Sequence, residues 1–164
     1  MAIPAYLWLK DDGGADIKGS VDVRDREGSI EVVGFGHSLR IPTDDNTGKL
    51  KGTRIHGTMN FEKIFDSSSP YLYKAVAPGQ RLQSAEVRWY KINDAGQEQQ
   101  YFNMLLEGVR VVSISPCMIN QEKINHIEYV SLRYERITWK YCDGNVQFTD
   151  AWNERGLCHD RCDS

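Results

Sequence analysis

One short segment limits the fold more than any other. Residues 65–79, Phe65-Asp66-Ser67-Ser68-Ser69-Pro70-Tyr71-Leu72-Tyr73-Lys74-Ala75-Val76-Ala77-Pro78-Gly79, carry the one convincing helix signal in a chain that otherwise reads as strands. Serine at the N-cap offers an oxygen to the first unpaired backbone N–H groups, and Pro70 sits just inside, where an N–H has no partner to lose. Pro78-Gly79 stops the helix. Leu72, Ala75 and Val76 recur at i, i+3 and i+4, so one face is apolar and is expected to bury itself against a sheet.

The rest of the pattern supplies that sheet. Residues 5–9 form a short β-type run. Residues 29–41 form another, built on Ile30, Val32, Val33 and Phe35, in which Gly34 and Gly36 predict a bulge or the close approach of another backbone. Residues 42–52 combine turn formers with almost no apolar side chains and are expected to be an exposed loop. Extended pattern resumes over 53–61. A hairpin follows, with arms 81–92 and 97–106 around Asn93-Asp94-Ala95-Gly96; Val87 and Trp89 share a face in its first arm. Gly108 is expected to separate the next strand, which ends at Pro116-Cys117. Over 126–141, Val130, Leu132 and Tyr134 have one parity and Ile137, Trp139 and Tyr141 the other, which predicts a one-residue slip near Glu135-Arg136 or burial of both faces there. The turn Cys142-Asp143-Gly144-Asn145 then leads into a last strand over 146–152. Several short strands and one helix predict a mainly β protein, an antiparallel barrel or sandwich with the helix packed beside it.

At 164 residues the chain suits one domain with a real core. Twenty Lys and Arg against 23 Asp and Glu give a formal charge of −3, a balance that does not support bulk nucleic-acid binding. No apolar run approaches a membrane span, and Met1 to Asp12 lacks the basic start and apolar core of a signal peptide, so neither membrane insertion nor a signal-dependent route is expected. Four cysteines, Cys117, Cys142, Cys158 and Cys162, are too sparse for a disulfide framework and fit a reducing site of synthesis.

Catalytic motifs are scarce. Val33-Gly34-Phe35-Gly36-His37 lacks the third glycine and the following helix of a phosphate cradle. His37 and His56 lie on or beside strands, each without a sequence partner for a triad. Cys158-His159-Asp160-Arg161-Cys162 concentrates three metal ligands, but tetrahedral zinc needs a fourth from elsewhere, such as Cys142; a solvated tail is the expected reading, with a disulfide after export between. No enzyme, cofactor or metal site is expected. The loop is the more informative surface: Asp44, Asp45 and Asn46 face Lys49 and Lys51 in sequence, a mixed-sign set able to meet a copy of itself or an acidic patch such as Asp11-Asp12 on a neighbour.

Taken in order, His56-Gly57-Thr58, the helix start Asp66-Ser67-Ser68-Ser69-Pro70-Tyr71-Leu72, the aromatic hairpin reaching Tyr101-Phe102, and Glu128-Tyr129-Val130-Ser131-Leu132-Arg133-Tyr134-Glu135-Arg136-Ile137-Thr138-Trp139 resemble the Hcp family, the haemolysin-coregulated proteins of bacterial type VI secretion. The resemblance covers residues 1–155, leaving 156–164 as a short tail outside the family pattern, too short for a fused effector domain. It implies a β-barrel of two sheets with one flanking α-helix, assembled as a homohexameric ring. Such rings stack into a tube that a contractile sheath drives out of the cell behind a spike, with effector proteins in the lumen, and subunits are assembled in the cytoplasm and exported without a signal peptide. By similarity the ring-stacking loop is residues 42–52, with Asp44, Asp45, Asn46, Lys49 and Lys51 as its contact candidates. Tyr71, Tyr73 and Lys74, on the outer face of the helix, become candidates for a subunit interface. The alternative is a monomeric, free-standing barrel that binds a ligand or chaperones secreted cargo.

Overall fold

The computed structural model describes residues 4–120 and 126–152. In chain order the elements are β1 (Ala5–Lys10), β2 (Asp16–Ile17), β3 (Ile30–Gly36), β4 (Leu39–Arg40), β5 (Ile55–His56), β6 (Met59–Ile64), α1 (Ser69–Val76), β7 (Arg81–Ile92), β8 (Glu98–Met118), β9 (His126–Arg133), β10 (Arg136–Tyr141) and β11 (Val146–Ala151). Strands β8, β7, β1, β3, β6 and β9 pair antiparallel in that order, and β9 returns to β8, which closes a six-stranded barrel. A barrel this narrow has room inside for side chains alone. Leu7, Val32, Phe61, Val87, Leu106 and Leu132, one from each strand, are all buried in its core. Beyond the barrel, β10 continues the sheet from the first half of β8 and β11 pairs with β10. The separate two-stranded sheet of β4 and β5 lies outside this ladder.

The helix lies where the apolar spacing puts it, with Leu72 and Ala75 fully buried and Val76 packed against the same core. Its cap differs from expectation. Ser68 occupies the N-cap without a side-chain cap bond. Asp66 makes the turn instead: its Oδ1 accepts from the Ser68 amide at 2.9 Å and from the Ser68 hydroxyl, while the Asp66 amide donates to Ser69 Oγ at 3.1 Å. An aspartate two residues ahead has occupied the serine oxygen that would otherwise cap the helix.

Gly108 does not separate two strands; β8 runs through it for 21 residues. It bends the strand instead. At φ +64° a side chain is strained, and a Cβ placed there would lie 2.6 Å from the Glu135 carboxylate group, which would have to shift, so glycine suits the bend. Before the bend β8 pairs with β10, and after it with β9. The parity change predicted near Glu135-Arg136 falls at the corresponding break between β9 and β10, so that Leu132, Tyr134 and Ile137 are all buried. The bulge predicted by Gly34 is present as a register shift between Val32 and Gly34. The expected run over 29–41 ends at Gly36 and resumes in the second sheet, and β2 had no clear sequence signal.

Candidate assembly surfaces

The loop expected over residues 42–52 is exposed, but it has a structure of its own. The Asp44 amide donates to the Lys49 carbonyl at 2.7 Å, Gly48 to Asp44 at 2.8 Å and Lys51 to Pro42 at 2.8 Å. Asp44 Oδ1 accepts from the amides of Asn46 and Thr47 at 2.8 and 3.0 Å. Those amides, Thr47 first, hold the Asp44 carboxyl below the usual carboxylate range. Asp44 therefore builds the turn, and the Lys51 ammonium at 3.8 Å adds a weak exposed pair. Asp45, Asn46 and Lys49 remain exposed at the tip. Charge is only half of this surface: Leu39, Ile41, Leu50 and Ile55 are exposed on the same hairpin, Leu50 by 64%. The sequence reading weighed the charges and missed the apolar flank, because Leu39, Ile41 and Ile55 fall in the expected strands on either side of the loop and Leu50 stands alone among polar residues. Asp11, proposed with Asp12 as an acidic counterpart, is likewise occupied by its own turn, accepting from the Gly13 and Ala15 amides at 2.9 Å.

On the helix Tyr71, Tyr73 and Lys74 all face outward. Tyr71 and Lys74 line a shallow cavity with Asp11, Asp16, Lys18 and Ser67. Another exposed apolar surface lies at the far edge of the sheet. Among the described residues β11 pairs only with β10, and Val146 and Phe148 are 66% and 62% exposed on it. A strand edge with free N–H and C=O groups and apolar side chains is a template for another strand.

Where the hairpin meets the barrel, the structure supplies the histidine partners that the sequence did not. His37 Nε2 and His56 Nδ1 both lie 2.7 Å from the Tyr134 hydroxyl. His56 Nε2 lies 2.8 Å from Asp150 Oδ2, which also accepts from Arg54 Nε at 2.5 Å, and Arg54 bonds the Ala151 carbonyl at 2.9 Å. The indoles of Trp139 and Trp152 stack on the His56 ring. Burial alone would raise the Asp150 pKa, but hydrogen bonds from Arg54 and His56 hold it low. Burial, then the Asp150 charge, push Tyr134 the other way, so its hydroxyl keeps its proton. Bonded partners in this cluster lie up to 97 residues apart in the chain, and no local motif marks them. The other chemistry considered, Cys158, His159 and Cys162 in the tail 156–164, lies outside the described residues; Cys142, the suggested fourth ligand, is half-buried with a free thiol.

Comparison with known proteins adds an independent line. The family model described as "Type VI secretion system effector, Hcp" matches residues 6–141. The chain is 32% identical over 166 residues to the "Major exported protein" of Pseudomonas aeruginosa, covering 93% of this chain and 96% of that one. Among solved structures, a variant of Hcp1 from the E. coli EAEC 042 pathovar is 68% identical with a TM-score of 0.86, over 92% of this chain and 99% of that one. The secreted protein Hcp3 from Pseudomonas aeruginosa is 27% identical with a TM-score of 0.79, over 93% and 100%.

Proposed function

Since the chain belongs to the Hcp family and is a type VI secretion tube protein, we propose that six copies close into a ring and that rings stack into the exported tube. The observation that carries the ring is the β11 edge. The barrel closes on itself, yet a six-residue edge strand keeps Val146 and Phe148 in water. Such an edge stays monomeric only at the risk of uncontrolled pairing, and a heterologous contact that closes on itself removes that risk. The outer helix face with Tyr71, Tyr73 and Lys74 is the second within-ring surface. The hairpin makes the ring-to-ring contact, with Leu50 and Ile41 as its apolar part and Asp45, Asn46, Lys49 and Lys51 as its polar rim; Asp44 contributes by shaping the turn.

The role is mechanical rather than catalytic. Assembly takes place in the cytoplasm, export follows without a signal peptide, and the sheath, the spike and lumenal effector proteins are the partners. The alternative of a ligand-binding barrel is not favoured, since the six-stranded interior is filled by core side chains. Reversing Lys49→Glu and Lys51→Glu together is expected to shorten tubes under electron microscopy while rings persist; unchanged tubes would remove the loop from the contact. Phe148→Asp is expected to leave monomers in native mass spectrometry, and intact hexamers would move the ring contact away from β11.

A further inference from the structure

Among the described residues, the hairpin is hydrogen-bonded to the rest of the chain at its root. Strands β4 and β5 pair with each other alone, and the backbone bonds of residues 42–51 stay within that segment. Among the described residues, every hydrogen bond from residues 37–57 to the rest of the chain is made by His37, Arg54 or His56. Their described partners include Tyr134 at the break between β9 and β10, and Asp150 and Ala151 of β11.

The bonds form one directed chain. A carboxylate only accepts, so His56 carries its proton on Nε2 toward Asp150, which leaves Nδ1 as an acceptor for the Tyr134 hydroxyl. With its proton given to His56, the Tyr134 oxygen accepts from His37 Nε2. Each group of the chain has the partner it needs, provided both imidazoles are neutral.

We propose that His37, Tyr134, His56 and Asp150 form a proton-operated clasp that holds the hairpin to the barrel, tight with both imidazoles neutral and released when His37 is charged. It rests on the reading of the hairpin as the ring-to-ring contact and adds to that reading a dependence of stacking on pH.

The surroundings favour that direction. His37 is half-buried, its ring centroid 5.7 Å from that of Tyr134 and 6.2 Å from that of Trp139. Among the described residues, the charged groups around the cluster include Arg54 ahead of β5, Asp150 on β11 and Arg133 at the end of β9, the last lying over Trp152 at 4.7 Å. Asp150, the single anion among them, is already engaged by Arg54 and His56. Among these groups a cationic His37 therefore meets further positive charge and no counterion of its own. Burial, then the neighbouring His56, lower the His37 pKa, so the clasped state binds fewer protons than a released one. A released imidazole returns to about 6.5, so the clasp is at full strength above that value and weakens as pH falls below it.

Amide hydrogen exchange on the unassembled protein, corrected for intrinsic rates, tests this at about pH 7.5 and about pH 5. In the wild type, protection of residues 43–51 is expected to fall measurably relative to β1 and β7 at the lower pH, the direction that a lowered His37 pKa gives. His37→Gln keeps a donor for Tyr134 without a titrating charge, and its hairpin is expected to be equally protected at both values. Tyr134→Phe is expected to leave the hairpin exchanging fast at both. Wild-type protection that does not change with pH, or a His37→Gln variant that keeps the full dependence, overturns the clasp. Tube length measured at the same two values separates the premise: a hairpin that loosens while tubes stay unchanged upholds the clasp and removes the hairpin from the ring contact. If Tyr134→Phe does not fold, His37→Gln alone decides.

Discussion

Two elements stand outside the main sheet, the helix and the β4–β5 hairpin, and each is tied to it by a polar cluster; the clusters differ in kind. Under the helix, Lys63 and Glu128 face each other across β6 and β9 and are almost wholly buried. The Lys63 ammonium lies 2.5 Å from Glu128 Oε2, 3.0 Å from Ser69 Oγ and 3.1 Å from Asp66 Oδ1, and Ser69 Oγ also donates to Glu128 at 2.9 Å. Leu72 and Ala75 add an apolar anchor. Under the hairpin the cluster is built from imidazoles, and the hairpin's own apolar residues Leu39, Ile41, Leu50 and Ile55 point to water. The helix is thus part of the folding unit, while the hairpin is a separable element held by side chains that a proton can alter.

The largest expected effect lies at the helix root. Lys63→Met leaves Glu128 ionised and buried without its cation, which costs about 3–5 kcal/mol, whereas Lys63→Met combined with Glu128→Met removes the orphan and returns stability to within about 1 kcal/mol of the wild type. Urea titration of the four forms checks it; an additive double variant would mean that the two charges do not act as a pair. Next comes the apolar anchor. Leu72→Ala is expected to lose about 2–5 kcal/mol through lost burial and the cavity left behind. Leu50→Ala, at the hairpin tip, is expected to leave the unfolding midpoint unchanged and shorten tubes, so the two leucines should separate stability from assembly. A smaller effect is expected at the hairpin root. Tyr134→Phe leaves the His37 N–H and His56 Nδ1 without partners, a cost of about 1–3 kcal/mol at neutral pH, visible as an earlier unfolding midpoint in a thermal melt. The same melt at about pH 5 should show a narrower gap between variant and wild type, because acid has already weakened the wild-type clasp.

The helix was legible because each of its signals is local: Leu72, Ala75 and Val76 lie within one turn and a half, and Pro78-Gly79 follow at once. The hairpin of β7 and β8 was legible for the same reason, with Asn93 and Gly96 at its turn. The cap failed on a competition the pattern does not weigh, since Asp66 reaches the Ser68 amide and hydroxyl first. Gly108 was read as a separator because glycine weakens a strand, but here the barrel needs a bend, and the positive φ beside Glu135 supplies it. The clasp was out of reach for a stronger reason. His37 and His56 find Tyr134 only after the chain beyond β9 has been folded back beside the hairpin root, and Lys63 meets Glu128 only through the β6–β9 register. The apolar flank of the hairpin was missed because Leu39, Ile41 and Ile55 fall in the expected strands on either side of the loop and Leu50 stands alone among polar residues.

The smallest expected effect falls on the pair most easily mistaken for a third anchor. Arg81 reaches Glu135 with Nη2 at 3.0 Å and Nε at 3.3 Å, and so spans the Gly108 bend between β7 and the β9–β10 break. Bonding to Arg81 lowers the Glu135 pKa, so the geometry resembles that of Lys63 with Glu128. The environment does not: both side chains are about half exposed, at 53% and 52%. Water already solvates each charge, salt screens their attraction, and two long side chains must be ordered to meet. Arg81→Ala is therefore expected to leave the unfolding midpoint of the isolated subunit unchanged in 0.15 M salt, and a thermal melt beside Lys63→Met makes the comparison direct. A clear loss in Arg81→Ala would mean that the bend at Gly108 needs an external brace, and that burial is not what separates structural ion pairs from incidental ones in this barrel.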